Sequence, residues 1–187
     1  MSAQFSFQLT SLQGLIVISR LPVADSRGYL ERLFCAEALS EIGISKPVIQ
    51  INHTLTHRPG AVRGMHFQRP PHAEVKIISC LKGEVFDVAI DLRARSATFL
   101  CWHGEILSPK NHKSLYIPEG FAHGFQAITD DCELLYVHTE AYAPHAEGGI
   151  VPTDPRVAIR WPLPITELSD RDNNHPLLDG AFSGIVI

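Results

Sequence analysis

The amino-acid sequence predicts an all-β chain, an antiparallel sandwich or barrel with jelly rolls among the options and a few short helices. Two observations carry this: short runs of alternating polarity recur along the chain, and turn-forming residues punctuate them at regular intervals. The cleanest run covers 84–92, where Phe86, Val88, Ile90 and Leu92 share one face and Asp87 and Asp91 the other. Similar runs cover 76–80, 99–107, 114–117, 124–128 and 133–138, separated by Lys82 and Gly83, Ser108 and Pro109, Pro118 to Gly120, and residues 129–131. One helix is expected over 35–42, from Cys35, Ala38, Leu39 and Ile42 at helical spacing with Gly43 as a stop, and a second within 170–179. Residues 1–24 carry Phe5, Phe7 and Leu9 and then the apolar run 15–18, with no helix or loop of their own to cover them. They are expected to form strands that extend the barrel across to a partner subunit, giving a homodimer.

A length of 187 residues without repeat or linker suits one domain spanning 1–187, with a sizeable core. Hydrophobic content of 45% and charged content of 19% are those of an ordinary soluble protein. A net charge of -4, with no basic block, argues against a nucleic-acid partner. Cys35, Cys80, Cys101 and Cys132 show no paired spacing, which weighs against zinc and redox motifs. With no secretory signal, reduced thiols in a cytoplasm are expected, and the run 15–18 is far too short to span a membrane.

Chemistry-bearing residues concentrate between Arg63 and Lys76. On a strand, Met65 and Phe67 point one way while Gly64, His66 and Gln68 point the other, which aims the His66 imidazole at the interior. Lys76 joins that interior if the next strand pairs antiparallel and alternates likewise. A lysine aimed inward is costly unless it meets an anion, the alternative being a lysine that snorkels from an edge.

Pro118, Gly120 and His123 resemble the second motif of the cupins, in which a turn leads into a strand bearing a histidine. Metal cupins complete their site with a paired-histidine cluster. Here that cluster reads His66, Phe67, Gln68 and lacks its second histidine, so no metal site is expected.

From about Asp25 to Asp179 the chain resembles the dTDP-4-dehydrorhamnose 3,5-epimerase family, cupin-type jelly-roll enzymes. The resemblance implies roles residue by residue. His66 matches the general base and Asp172, in a C-terminal tail over 165–187, the carboxylate that orients it. Tyr136 matches the general acid, Lys76 the group that stabilises the enolate, and His123 a second histidine near the sugar. Arg27, Gln50, Asn52 and Arg63 match nucleotide-diphosphate contacts; Tyr142, Glu147 and Arg171 match further sugar-nucleotide positions. Arg32 and Val137 depart from common family residues, Glu and Lys respectively, and Arg171 replaces a frequent Lys. Arg32 is expected against phosphate or sugar-linked oxygen, or paired with Glu31 or Glu147.

The implied activity is cofactor-free epimerisation at C3 and C5 of a dTDP-4-keto-6-deoxyhexose, in deoxysugar biosynthesis. Its rivals are a single-site 3- or 5-epimerase on another nucleotide sugar, a non-catalytic sugar-binding cupin, and a metal-dependent cupin oxygenase. The residue types suit the implied chemistry. A C–H beside a ketone becomes acidic when a donor meets the forming enolate, and inversion needs an acid and a base on opposite faces of the ring. A histidine can titrate near neutrality, a tyrosine holds a proton at pH 7, and arginines suit a diphosphate.

Overall fold

The computed structural model describes residues 4–187. Two antiparallel sheets face each other. One runs, in spatial order, β1 (Phe5–Leu9), β2 (Ile16–Arg20), β10 (Lys113–Ile117), β7 (Lys76–Lys82), β12 (Cys132–His138) and β5 (Gln50–Thr56). The other runs β13 (Glu147–Gly149), β6 (Val62–Gln68), β11 (Phe121–Ala127), β8 (Val85–Asp91) and β9 (Trp102–Leu107). A separate hairpin, β3 (Val23–Asp25) with β4 (Gly28–Leu30), stands outside both. The jelly-roll expectation holds, as two open facing sheets rather than a closed barrel.

Three apolar layers follow from the alternation. Between the sheets, Val17, Ile78, Leu115 and Leu134 of the first meet Val85, Ala89, Phe125 and Leu107 of the second. The outer face of the second sheet buries Met65, Phe67, Val88 and Ile90 beneath the C-terminal segment, which contributes Val157 and Ile185. The outer face of the first buries Ile16, Ile18, Ile77 and Val137 beneath Leu39 of α1 (Ala36–Ser40) and Ile44. Strand β8 is therefore apolar on both faces except where Asp87 and Asp91 enter.

Several expectations are corrected. The helix expected over 35–42 is shorter, because Cys35 is extended and caps it without a side-chain bond. The second, α2 (Asp170–Asn173), is a single turn. Strand β11 begins at Phe121 rather than 124, since it pairs with β8 along its whole length. Residues 1–3 lie outside the described residues, and Phe5 and Phe7 are not bare: they pack in the layer under α1. Lys76 does not reach the interior from a neighbour of β6; β7 lies in the opposite sheet, between β10 and β12.

Candidate active site

A cleft of about 720 Å³ opens between the sheets, a size suited to a small organic ligand. His66 enters it from β6, aimed there because Met65 and Phe67 take the apolar side. Gly64 permits this placement: at φ +125°, a Cβ there would sit 2.5 Å from the Gly124 Cα, so the close crossing of β6 and β11 excludes a side chain. The register then sets His66 opposite His123.

Asp172 reaches the same point from the C-terminal tail. Ser169 caps α2 by accepting from the Asp172 N–H, and the carboxylate contacts His66 Nε2 at 2.6 Å through Oδ1 and accepts from the Gly64 N–H at 3.1 Å through Oδ2. Burial pushes the Asp172 carboxyl upward, but the His66 hydrogen bond and charge and the Gly64 amide outweigh it and hold the group below the usual carboxylate range. An ionised Asp172 accepts, so His66 carries its proton on Nε2 and offers the Nδ1 lone pair. His175 packs beside the pair, ring centroids 6.1 Å apart; its pKa is lowered by burial and then by the nearby His66 charge.

The facing sheet supplies the other groups. Tyr136, on β12, packs edge-on to His123 and parallel to His138. Burial, and next the Asp87 charge, raise its phenol well above the ordinary value, so it stays protonated throughout the neutral range. Lys76 is buried, with Nζ 3.1 Å from Glu74 Oε1 and 3.4 Å from the His66 carbonyl. His123 Nε2 lies 2.8 Å from Asp87 Oδ1, and burial raises the Asp87 carboxyl against the opposing influence of His123 and Lys76.

The expected binding residues divide in three. Gln50, Asn52 and Arg63 line the cleft, with Arg63 Nε donating to Thr56 Oγ1 at 2.9 Å. Tyr142, Glu147 and Arg171 form its rim, where the Tyr142 hydroxyl and the Arg171 guanidinium both contact Glu147. Arg27 and Arg32 lie outside it. Arg27 is exposed and pairs with Asp25, while Arg32 approaches Cys35 Sγ, at 4.0 Å. The expected pairing of Arg32 with Glu31 or Glu147 is corrected, because Glu31 is taken by Arg20 and His112, and Glu147 by Tyr142 and Arg171.

Sequence reasoning missed Asp87, Glu74 and His138. Glu74 Oε2 accepts from His138 Nδ1 at 2.7 Å. Asp87 had a signal, a charged position within an otherwise apolar stretch of β8 that shares only Asp91 as a second; Glu74 and His138 had none without the register that joins β7 to β12.

Comparison with known proteins gives the family. Residues 9–180 match the family model for dTDP-4-dehydrorhamnose 3,5-epimerase. The chain is 41% identical over 175 residues to the dTDP-4-dehydrorhamnose 3,5-epimerase of Methanothermobacter thermautotrophicus, covering 92% of this chain and 94% of the relative. It is 39% identical to that of Salmonella typhimurium, covering 92% and 95%. The structure of dTDP-4-dehydrorhamnose 3,5-epimerase from Bacillus anthracis with TDP and PPi bound superposes with a TM-score of 0.90 at 33% identity, covering 93% of this chain and 99% of that one. A 4-keto-6-deoxy sugar epimerase from the novobiocin cluster of Streptomyces spheroides gives 0.89 at 35% identity, covering 95% and 89%. The chain thus belongs to the dTDP-4-dehydrorhamnose 3,5-epimerases, enzymes that epimerise nucleotide sugars.

Proposed function

We propose that the chain epimerises dTDP-4-dehydro-6-deoxy-D-glucose at C3 and C5, giving dTDP-4-dehydro-L-rhamnose through an enolate. The observation that carries the reading is the division of groups between sheets: the His66–Asp172 pair projects from the β6 side, while Tyr136 projects from β12 opposite. A pyranose between them meets a base on one face and an acid on the other, which inversion requires.

His66 Nδ1 takes the proton from the carbon beside the C4 ketone. The electron pair moves into the carbonyl, and the Lys76 ammonium meets the developing oxygen charge. Tyr136 then gives its proton to the opposite face of the same carbon, and solvent restores both groups. The substrate's ketone is the electron sink, so the reaction needs neither cofactor nor metal. Each positioned proton transfer is typically worth roughly 10²–10⁴ in rate. Gln50, Asn52 and Arg63 would hold the nucleotide diphosphate, and Tyr142, Glu147 and Arg171 the rim of the sugar nucleotide.

The reading includes a homodimer. The β3–β4 hairpin exposes Tyr29 at 59% and Leu30 at 74%, and the edge strand β5 exposes Ile51 at 61%. A partner covering the hairpin would also give Arg27 and Arg32 a cleft to enter. The proposed setting is a cytoplasm, where the four unpaired cysteines would stay reduced, and the proposed use of the product is deoxysugar supply for cell-surface polysaccharide.

The test is proton NMR of dTDP-4-dehydro-6-deoxy-D-glucose incubated with the enzyme in D₂O. Deuterium at both C3 and C5 of an inverted product is expected. Deuterium at one carbon alone would reduce the activity to a single-site epimerase, and none would remove it.

A further inference from the structure

Behind the proposed catalytic groups runs a chain of hydrogen bonds that meets at Glu74, which accepts from both sides, with a donor matched to an acceptor at every joint. The Tyr142 amide donates to Gln50 Oε1 at 3.1 Å, and Gln50 Nε2 donates to Asn52 Oδ1 at 3.1 Å. Asn52 Nδ2 lies 3.4 Å from His138 Nε2, and His138 Nδ1 lies 2.7 Å from Glu74 Oε2. The other oxygen of Glu74 receives Lys76 Nζ at 3.1 Å. Because the Asn52 amide nitrogen can only donate, His138 Nε2 accepts and its proton sits on Nδ1, which is what Glu74 needs.

The placement is fixed by the sheet. His138 stands opposite both Gln50 and Lys76 in the ladders of β12, and Tyr136 stands opposite Asn52. The side chains of Glu74, Lys76 and His138 are all about nine-tenths buried, so the two bonds to Glu74 are shielded from water, while the Gln50–Asn52 end of the chain is exposed. Burial raises the Glu74 carboxyl, yet the His138 hydrogen bond and the Lys76 charge bring it below the ordinary range, so it remains a carboxylate. The Lys76 ammonium also influences Asp87 on β8, and the His66 carbonyl takes a second of its contacts.

We infer that Glu74 and His138 are positioning residues that aim the Lys76 ammonium at the substrate's ketone oxygen and tie its placement to the Gln50–Asn52 end of the cleft. Lys76 has three N–H groups. Glu74 holds one, the His66 carbonyl a second, and the third is left for the enolate. Unshared, the Glu74 carboxylate would draw the ammonium to itself; the His138 N–H takes part of its charge and fixes its plane. The device matters most when negative charge builds on the substrate oxygen, so it acts on the transition state more than on binding. This inference rests on the function proposed above.

The test uses full-length enzyme and dTDP-4-dehydro-6-deoxy-D-glucose, with kcat, KM and deuterium exchange measured for each variant and thermal unfolding recorded beside them. Glu74→Gln should lower kcat roughly 10–100-fold with KM within about twofold, and exchange should fall in step with turnover because enolate formation itself is slowed. His138→Leu, which has no N–H for Glu74, should do the same. His138→Asn, which keeps an N–H near the Nδ1 position, should recover most of that loss, a result that packing alone does not predict. Should Glu74→Gln fail to fold, the two His138 variants decide the matter. Wild-type kcat in Glu74→Gln, a change confined to KM, or equal behaviour of the Leu and Asn variants would overturn the inference and leave the proposed function standing. A wild-type enzyme that exchanges no substrate proton would overturn both.

Discussion

Asp172 Oδ1 lies 2.6 Å from His66 Nε2 although the two residues are 106 positions apart, and the other Asp172 oxygen is held by the Gly64 amide. That second bond decides how a substitution at 172 behaves. In Asp172→Asn, the Gly64 N–H requires the amide oxygen, which turns the amide NH₂ toward His66. Nε2 must then accept, the imidazole proton moves to Nδ1, and the base is lost.

The first prediction follows from that pair. His66→Ala should abolish both deuterium exchange and epimerisation in a folded protein, and Asp172→Asn should lower kcat by roughly 10²–10³-fold. Near-normal turnover in His66→Ala would remove it as the base.

The second separates acid from base. Tyr136 is half-buried against the core, and desolvation and then the Asp87 charge raise its phenol, so it holds its proton at neutral pH. Tyr136→Phe keeps the ring and its packing on His123 and His138 but removes the proton. Substrate should still exchange at C3 or C5 while inverted product falls by roughly 10²–10⁴-fold, the range of a lost general acid. Inversion at full rate would assign the acid elsewhere, with Tyr142 on the rim as the next candidate.

A third concerns metal. Gln68, at the position of the missing second histidine, spends its amide on the carbonyls of His72 and Ala141 and on the Ala143 N–H, and His123 is taken by Asp87. EDTA should therefore leave activity unchanged. Among the described residues, His66, Asp172 and His175 do have ligand atoms within 4.8 Å of one another. A divalent ion there would compete for His66 Nε2 and force the proton onto Nδ1, so added Zn(II) should inhibit. Activation of a stripped sample by Fe(II) or Zn(II) would contradict this.

How much could be read from the sequence divides by range. The strands and the direction of His66 were legible because period-two alternation is local: Met65 and Phe67 need an apolar layer, which leaves His66 the cleft. The partner sheet of Lys76 was not, since nothing local says that the connection from β6 to β7 passes to the opposite sheet. The family resemblance supplied the pairing of His66 with Asp172. The Glu74–His138 bond, which depends on β7 lying beside β12, was visible only in the fold. Phe5 and Phe7 were misread as uncovered because their cover, around Leu39, comes from more than 30 residues along the chain.

The fourth prediction is of stability. Asp91 is fully buried and receives bonds from Arg93, Ser96 and Thr98, fixing the turn that follows β8. Burial pushes its carboxyl up, but these bonds prevail and bring it from 3.8 to about 2. A depressed folded-state pKa gives stability that is fully present above the unfolded value and is lost as pH falls through the folded one. The difference corresponds to roughly 2 kcal/mol at neutral pH. Asp91→Asn should therefore be destabilised by about that amount at pH 7 in denaturant unfolding at fixed protein concentration. The gap to wild type should narrow as pH drops from 4 toward 2. A gap that does not change with pH would mean that the charge of Asp91 contributes nothing.

The last prediction concerns the hairpin and the two arginines outside the cleft. Arg27 has its side chain 87% exposed and, among the described residues, pairs with nearby Asp25, while Tyr29 and Leu30 on the adjoining strand present apolar surface to solvent. An exposed ion pair of this kind contributes little stability, and Tyr29 and Leu30 are the apolar surface that a second copy would cover. If the hairpin lies on a second copy, light scattering at micromolar concentration should give twice the 20.7 kDa of one chain, and Leu30→Glu should shift it toward monomer. Arg27→Ala should then raise KM for the sugar nucleotide several-fold while kcat stays nearly constant, the pattern of a contact made equally in ground and transition states. Arg32→Glu should behave likewise if Arg32 reaches the same phosphate. Unchanged kinetics would make Arg32 a solvated surface residue, and a large fall in kcat at constant KM would place it among groups acting in the transition state. A mass of a single chain would refute the dimer and, with it, the route by which either arginine could reach a diphosphate.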